Sequence, residues 1–228
     1  MLISVPQLVW CWGVRPTAVL HVGAHRGEEV PAYTRAGWLP VVLVDALPEC
    51  AAHLQRVHEE RSDVDVHLGV AWDADGEGLI MHRTNNGESS SVLPMGSHRQ
   101  RHPEVRIVDE FTVSSVRLDT LLAGDPRRFD AVMMDIQGAE LRALRGLGER
   151  LEDVRWIYCE VNQEDLYIGS ALLDEVDAYL GEQGFVRVDT RMTTSGWGDA
   201  LYARRAERPR AASLRRLVRR LWTAAASG

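Results

Sequence analysis

The run Thr17-Ala18-Val19-Leu20-His21-Val22, followed by Gly23-Ala24-His25-Arg26-Gly27, decides the fold. Six mostly apolar residues read as a buried strand, and the two glycines let the chain turn sharply behind it. A helical pattern follows to about Gly37, with Pro31 tolerated only in its first turn. Val41 to Asp45 is a second strand, ending in an acid 18 residues past Gly27. Strand, glycine turn, helix, strand and acid in that order form a nucleoside-binding half-site. The helix N-terminus favours negative charge, and the carboxylate accepts from both hydroxyls of a ribose. A dinucleotide fingerprint needs a middle glycine to admit a pyrophosphate, and Gly23 to Gly27 lacks it. The turn therefore suits a methyl donor better than a nicotinamide cofactor.

Working outward, apolar runs keep alternating with helical patterns, the signature of a parallel sheet with crossover helices. Pro48 to Glu60 reads as a helix and Val64 to Ala71 as a third strand. Gly78 to Thr84 and Val105 to Val116 are extended segments around a polar loop. Phe129 to Met134 is a buried strand ending at Asp135, and Gly138 to Leu151 a helix with Leu141, Leu144, Leu147 and Leu151 on one stripe. Val154 to Val161, a helix through Leu172 to Leu180, and a hairpin of Phe185 to Thr190 with Ala200 to Ala203 complete the chain. The expected fold is α/β: a doubly wound, mostly parallel seven-strand sheet with a C-terminal β-hairpin. Residues 1–16 are expected to form a helix or lid over a pocket, 17–203 the main domain, and 204–228 a basic tail.

Composition narrows the chemistry. The chain has 228 residues, 45% hydrophobic and 26% charged, as in a soluble globular protein. All 26 basic residues are arginine, which removes every mechanism that needs a lysine, from Schiff bases to the P-loop. Cys11, Cys50 and Cys159 are scattered, without metal or disulfide spacing. Arg204 to Arg220 holds eight arginines and one acid, leaving −14 on the rest of a chain whose net charge is −7. An acidic body of this kind is a poor nucleic-acid binder, while the tail suits an anionic membrane or acidic partner. No apolar stretch is long enough to span a bilayer and no signal peptide is read, so a cytoplasmic location is expected.

Six stretches taken together, VLHVGAHRGEE, VDALPE, NNGESSSVLP, VRLDTLL, MMDIQGAELRALRGL and IYCEVNQEDLY, resemble the FkbM family of S-adenosylmethionine-dependent methyltransferases from about Thr17 to Arg204. The resemblance implies methyl transfer from S-adenosylmethionine to a hydroxyl oxygen of a sugar, polyketide or other natural product. It also makes Gly23, Ala24 and Gly27 the methionine-side loop, with His21 and His25 beside it. It gives Asp45 the ribose, with Ala46 adjacent, places Ala71 near the adenine, and makes the serine loop around Ser90 a contact of the active site. His21 stands where the family usually has Asp, and Asp45 where it often has Glu.

Asp135 ends a buried strand and Glu160 lies near the end of the next, so both are expected at the carboxyl edge of the sheet. A carboxylate there takes the proton as a neutral hydroxyl attacks. Asp135 is the first choice as base, Glu160 the second and His98 the third, with Glu140 and Asn162 orienting the acids. His98 and His102, beside Arg99 and Arg101, suggest an acceptor pocket with a basic lining. No metal spacing is present, and magnesium on the two acids and the amide is a minority reading. The rival readings are a nicotinamide-dependent oxidoreductase and a non-catalytic binding module.

Overall fold

The computed structural model describes residues 1–207. Its main sheet has seven strands: β1 (Val19–Val22), β2 (Val41–Asp45), β3 (Val64–Leu68), β7 (Ala131–Met134), β8 (Trp156–Asn162), β9 (Phe185–Met192) and β10 (Trp197–Arg204). Their spatial order is β3-β2-β1-β7-β8-β10-β9. The first five are parallel, and the hairpin partners β9 and β10 close the sheet antiparallel. The connecting helices are α1 (Val5–Gln7), α2 (Val30–Ala36), α3 (Pro48–Val57), α4 (His98–Arg101), α5 (Leu118–Leu121), α6 (Glu140–Gly146) and α7 (Leu173–Glu182). The expected doubly wound sheet and its terminal hairpin are both present.

Each strand is apolar because both faces are covered. Leu20, Val22, Val132, Met134, Cys159 and Val161 pack on the side of α6 and α7. Val19, Leu43, Ala131, Met133 and Tyr158 pack on the side of α2 and of the N-terminal segment, whose Ile3, Val5, Leu8 and Val14 are buried there. Residues 1–16 thus run as the short α1 and a wide turn through Leu8–Trp12 against this face, ending at Gly13 in the left-handed region. Pro31 sits in the first turn of α2, and Gly37 caps it with φ +72°.

The third strand differs from expectation. Val64 to Ala71 reads as one apolar run, but Gly69 divides it between two sheets. Val64–Leu68 extends the main sheet, while β4 (Val70–Trp72) joins β6 (Ile107–Arg117), itself paired with β5 (Gly78–Thr84). The extended segments around the polar loop are therefore a second, three-stranded sheet in the order β4-β6-β5. Helix α6 is also shorter than its leucine stripe, because the last turn tightens into a 3₁₀ segment at Gly148–Glu152. No described helix is long and apolar enough to cross a membrane. The basic tail expected over 204–228 lies outside the described residues from 208 onward.

Candidate functional site

Strand alternation selects which side chains reach the carboxyl edge on the N-terminal-segment side. His21 follows Val19 by two, Asp135 follows Met133 by two, and Glu160 follows Tyr158 by two, so all three face that side. Antiparallel β10 starts at the same edge and sets Asp199 opposite Glu160 and Trp197 opposite Asn162. These residues line a cavity of about 430 Å³, with Gly23, Ala24, His25, His98 and Tyr167 on its other walls. A smaller apolar cleft, about 80 Å³, adjoins it and is lined by Asp45, Ala46, Val70, Ala71, Met81 and Ser90. Gly23, His25, Glu88, Asp135 and Gln137 border both. A long ligand with one apolar end and one charged end fits this pair of spaces.

The glycine turn is held from beneath. Asp45 is 6% exposed, and its carboxylate accepts from the backbone N–H of His25 at 2.7 Å and of Leu47 at 2.9 Å. Burial raises its pKa, and these two bonds oppose that rise. Each carboxylate oxygen keeps a second lone pair, which is what ribose hydroxyls require. Gly23 has φ +81°, and a Cβ there would lie 1.8 Å from the carbonyl oxygen of Asp135. The neighbouring strand end therefore excludes a side chain at this position. Gly27 lines neither space; its N–H closes the turn onto the carbonyl of Ala24 at 2.7 Å. His21 is buried, edge-on to Tyr33 and 3.3 Å from its hydroxyl, and burial lowers its pKa to about 4. It is therefore a neutral wall residue rather than a cation.

Three carboxyl groups meet at the floor. One oxygen from each of Asp135, Glu140 and Glu160 lies within 4.8 Å of the other two. Asp135 is exposed, but to the cavity. Glu160 and Glu140 are buried, and withdrawal from water raises all three, Glu160 most of all. Asp135 and Glu160 oppose each other's ionisation across this short distance, which adds to the effect of burial on Glu160. Gln137 fixes this arrangement. Its amide donates to Asp135 at 2.6 Å and to Glu160 at 3.0 Å, while its carbonyl accepts from the hydroxyl of Tyr167 at 2.7 Å. Its φ of +55° is unusual for a non-glycine residue and aims the amide between the two acids. Glu140 accepts from the backbone N–H of Ile136 at 2.9 Å and of Gly138 at 3.3 Å, securing the turn that carries Gln137. A divalent cation would want the place the Gln137 amide occupies, and an amide N–H₂ is a donor, not a ligand.

The other expected contacts are placed as follows. His98 lines the large cavity, with the rings of His102 and Tyr167 tilted against its own. Arg99 and Arg101 do not line it, and Arg101 pairs with Glu164 instead, so the basic lining is not found. Asn162 is fully buried and its side-chain amide has no hydrogen-bond partner among the described residues, so Gln137 rather than Asn162 orients the acids. Ser90 lines the cleft while its hydroxyl accepts from the N–H of Thr84 at 3.0 Å. Gln137, Tyr167 and Asp199 are the site residues that sequence reasoning missed.

The family description "Methyltransferase FkbM domain" matches residues 21–187. The chain belongs to the FkbM methyltransferase family. S-adenosylmethionine is the methyl donor of that family. The chain is 29% identical over 119 residues to the 2-O-methyltransferase NoeI of Sinorhizobium fredii, covering 46% of this chain and 49% of that one. It thus spans about half the length of that curated relative. Two solved structures of the N-terminal domain of EvdMO1 share its fold. One, in the presence of S-adenosylhomocysteine (SAH) and D-fucose, gives a TM-score of 0.51 at 12% identity over 88% of this chain and 80% of that one. The other, with SAH bound, gives 0.50 at 13% over 88% and 79%.

Proposed function

We propose that the protein is an O-methyltransferase that moves a methyl group from S-adenosylmethionine to a hydroxyl of a small glycoside or similar natural product. The observation that carries this reading is the Asp135–Glu160 carboxyl pair, bridged by the Gln137 amide, at the floor of a cavity that opens onto the glycine turn. The donor supplies an electrophilic methyl on a sulfonium. The chain supplies position, exclusion of water and a base. As the new carbon–oxygen bond forms and the carbon–sulfur bond breaks, the hydroxyl proton passes to the Asp135 carboxylate, leaving a methyl ether and SAH. Burial and the neighbouring Asp135 charge push the pKa of Glu160 up, favouring its neutral form and limiting the negative charge beside the reacting oxygen. The aromatic faces of Trp197 and Tyr167, set among acids and histidines, suit a ring that carries hydroxyls. The 2-O-methyltransferase NoeI and the EvdMO1 domain, whose structure was solved in the presence of SAH and D-fucose, support the same reading.

Calorimetry against SAH and NAD separates this reading from its rivals: SAH alone binding is the expected result. Binding of NAD alone would return the oxidoreductase, and binding of neither the non-catalytic module. Asp45→Ala is expected to weaken SAH by roughly 1.5–3 kcal/mol, as charged hydrogen bonds are lost from a largely buried site. Unchanged affinity in a variant that still melts cooperatively removes Asp45 from the ribose.

A further inference from the structure

The chain is rich in arginine, yet among the described residues no arginine lines the large cavity. Beyond the reacting pair, its wall holds five further carboxylates, Glu28, Glu29, Glu88, Glu104 and Asp199, against the Met1 ammonium, which lies on the same wall 3.9 Å from Glu29. The sulfonium and ammonium of the methyl donor bring two positive charges and its carboxylate one negative, which answers only part of this excess. A second observation marks a ligand position. His98 is 6% exposed on the cavity wall, and its buried Nδ1 has no hydrogen-bond partner among the described residues. A buried ring nitrogen left unpaired costs free energy until something bonds to it. Burial and the neighbouring His102 lower its pKa, so its ring is neutral and one nitrogen accepts.

We infer that the acceptor carries a protonated amine beside its hydroxyls, as an amino sugar does, and that acceptors bearing phosphate, sulfate or carboxylate are refused. This rests on the O-methyltransferase reading and names its substrate class. Anionic acceptors are held by guanidinium forks or lysines, and this cavity has neither. A phosphate placed there would meet like charge on several sides. An ammonium gains from the same field and donates hydrogen bonds to carboxylates. A neutral sugar uses the hydroxyl contacts alone and falls between the two.

The test uses the full chain saturated with SAH and three matched probes: the methyl glycosides of glucosamine, glucose and glucuronic acid. SAH binding is measured first by calorimetry; its absence defeats the methyltransferase reading and is a separate result. Saturation-transfer NMR at low salt then ranks the probes. The glucosaminide is expected to bind about tenfold tighter than the glucoside, with the glucuronide weakest, as several partly exposed charge pairs would produce. Glu29→Gln combined with Glu104→Gln is expected to cut the amine preference by about threefold or more, with the melting transition as the check on folding. Equal binding of the three, binding of none, a preference for the glucuronide, or an amine preference untouched by the double variant overturns the inference.

Discussion

Asp135 and Gln137 carry the argument at the scale of single residues. A carboxylate whose pKa is raised by withdrawal from water is a stronger base once ionised, and a weaker fraction of it is ionised at low pH. Methyl transfer is therefore expected to rise with pH as Asp135 ionises. Asp135→Asn is expected to lower turnover by roughly 10²–10⁴-fold while SAH still binds. Turnover near normal in that variant moves the base elsewhere, to Glu160 or His98. Gln137 is a positioning residue: its amide favours the ionised form of Asp135. Gln137→Met removes that donor at similar length, so the acidic limb of the pH–rate profile is expected to move upward by on the order of one pH unit. A merely structural loss would lower the plateau and leave the limb in place. The sequence made Asp135 and Glu160 legible because each ends an apolar run, where a charge needs a use. It hid Gln137, which reads as a polar residue in a turn. Only the pairing of β7 with β8 brings residue 160 to residue 137, and only a left-handed backbone turns the amide between them.

At the scale of elements, the turn from β7 into α6 shows how local structure holds a buried acid. Glu140 opens α6, where a carboxylate complements the helix dipole, and its side chain caps the N–H groups of Ile136 and Gly138. Burial nevertheless raises its pKa from 4.5 to about 7, against the lowering effect of those bonds. An acid raised in the folded state holds its proton better folded than unfolded. Its contribution is complete below about pH 4.5 and is lost as pH rises through about 7. Glu140→Gln keeps an acceptor oxygen for both N–H groups and has no charge to bury. It is expected to be more stable than the parent at pH 8, by up to roughly 3 kcal/mol, with the difference vanishing near pH 4. Thermal melts at the two pH values decide it; an equal difference at both would show that ionisation of Glu140 plays no part. Helices and central strands were legible here because period and caps agreed. The split at Gly69 was not, since alternation continues unbroken from Val64 to Trp72 and only the partner strand changes.

At the scale of the molecule, the small sheet matters because Val70, Ala71 and Met81 wall the cleft beside Asp45. What docks it on the main sheet is helix α6, and the closest approach is at Gly146. A Cβ added there would lie 2.0 Å from the carbonyl oxygen of Trp72, a backbone atom that cannot swing aside. Arg142, one turn earlier, lies over the Trp72 ring at 4.9 Å and pairs with Asp73 at 3.0 Å, so the contact extends along the helix. Gly146→Ala must push α6 and β4 apart, separating the two sheets at the cleft. The expected cost is roughly 2–4 kcal/mol, the range for overpacking at a rigid contact. In a chain of this size it lowers the melting temperature by roughly 5–15 °C. SAH affinity is expected to fall with it, because the cleft wall moves. Gly181, near the end of α7, supplies the control: a Cβ there meets nothing within 4 Å. Gly181→Ala gains helix propensity and is expected to stabilise by about 0.5–1 kcal/mol, with SAH binding unchanged. If the two alanine variants melt alike and bind SAH alike, the two sheets are not coupled through Gly146, and the cleft wall is held by the β4–β6 pairing alone.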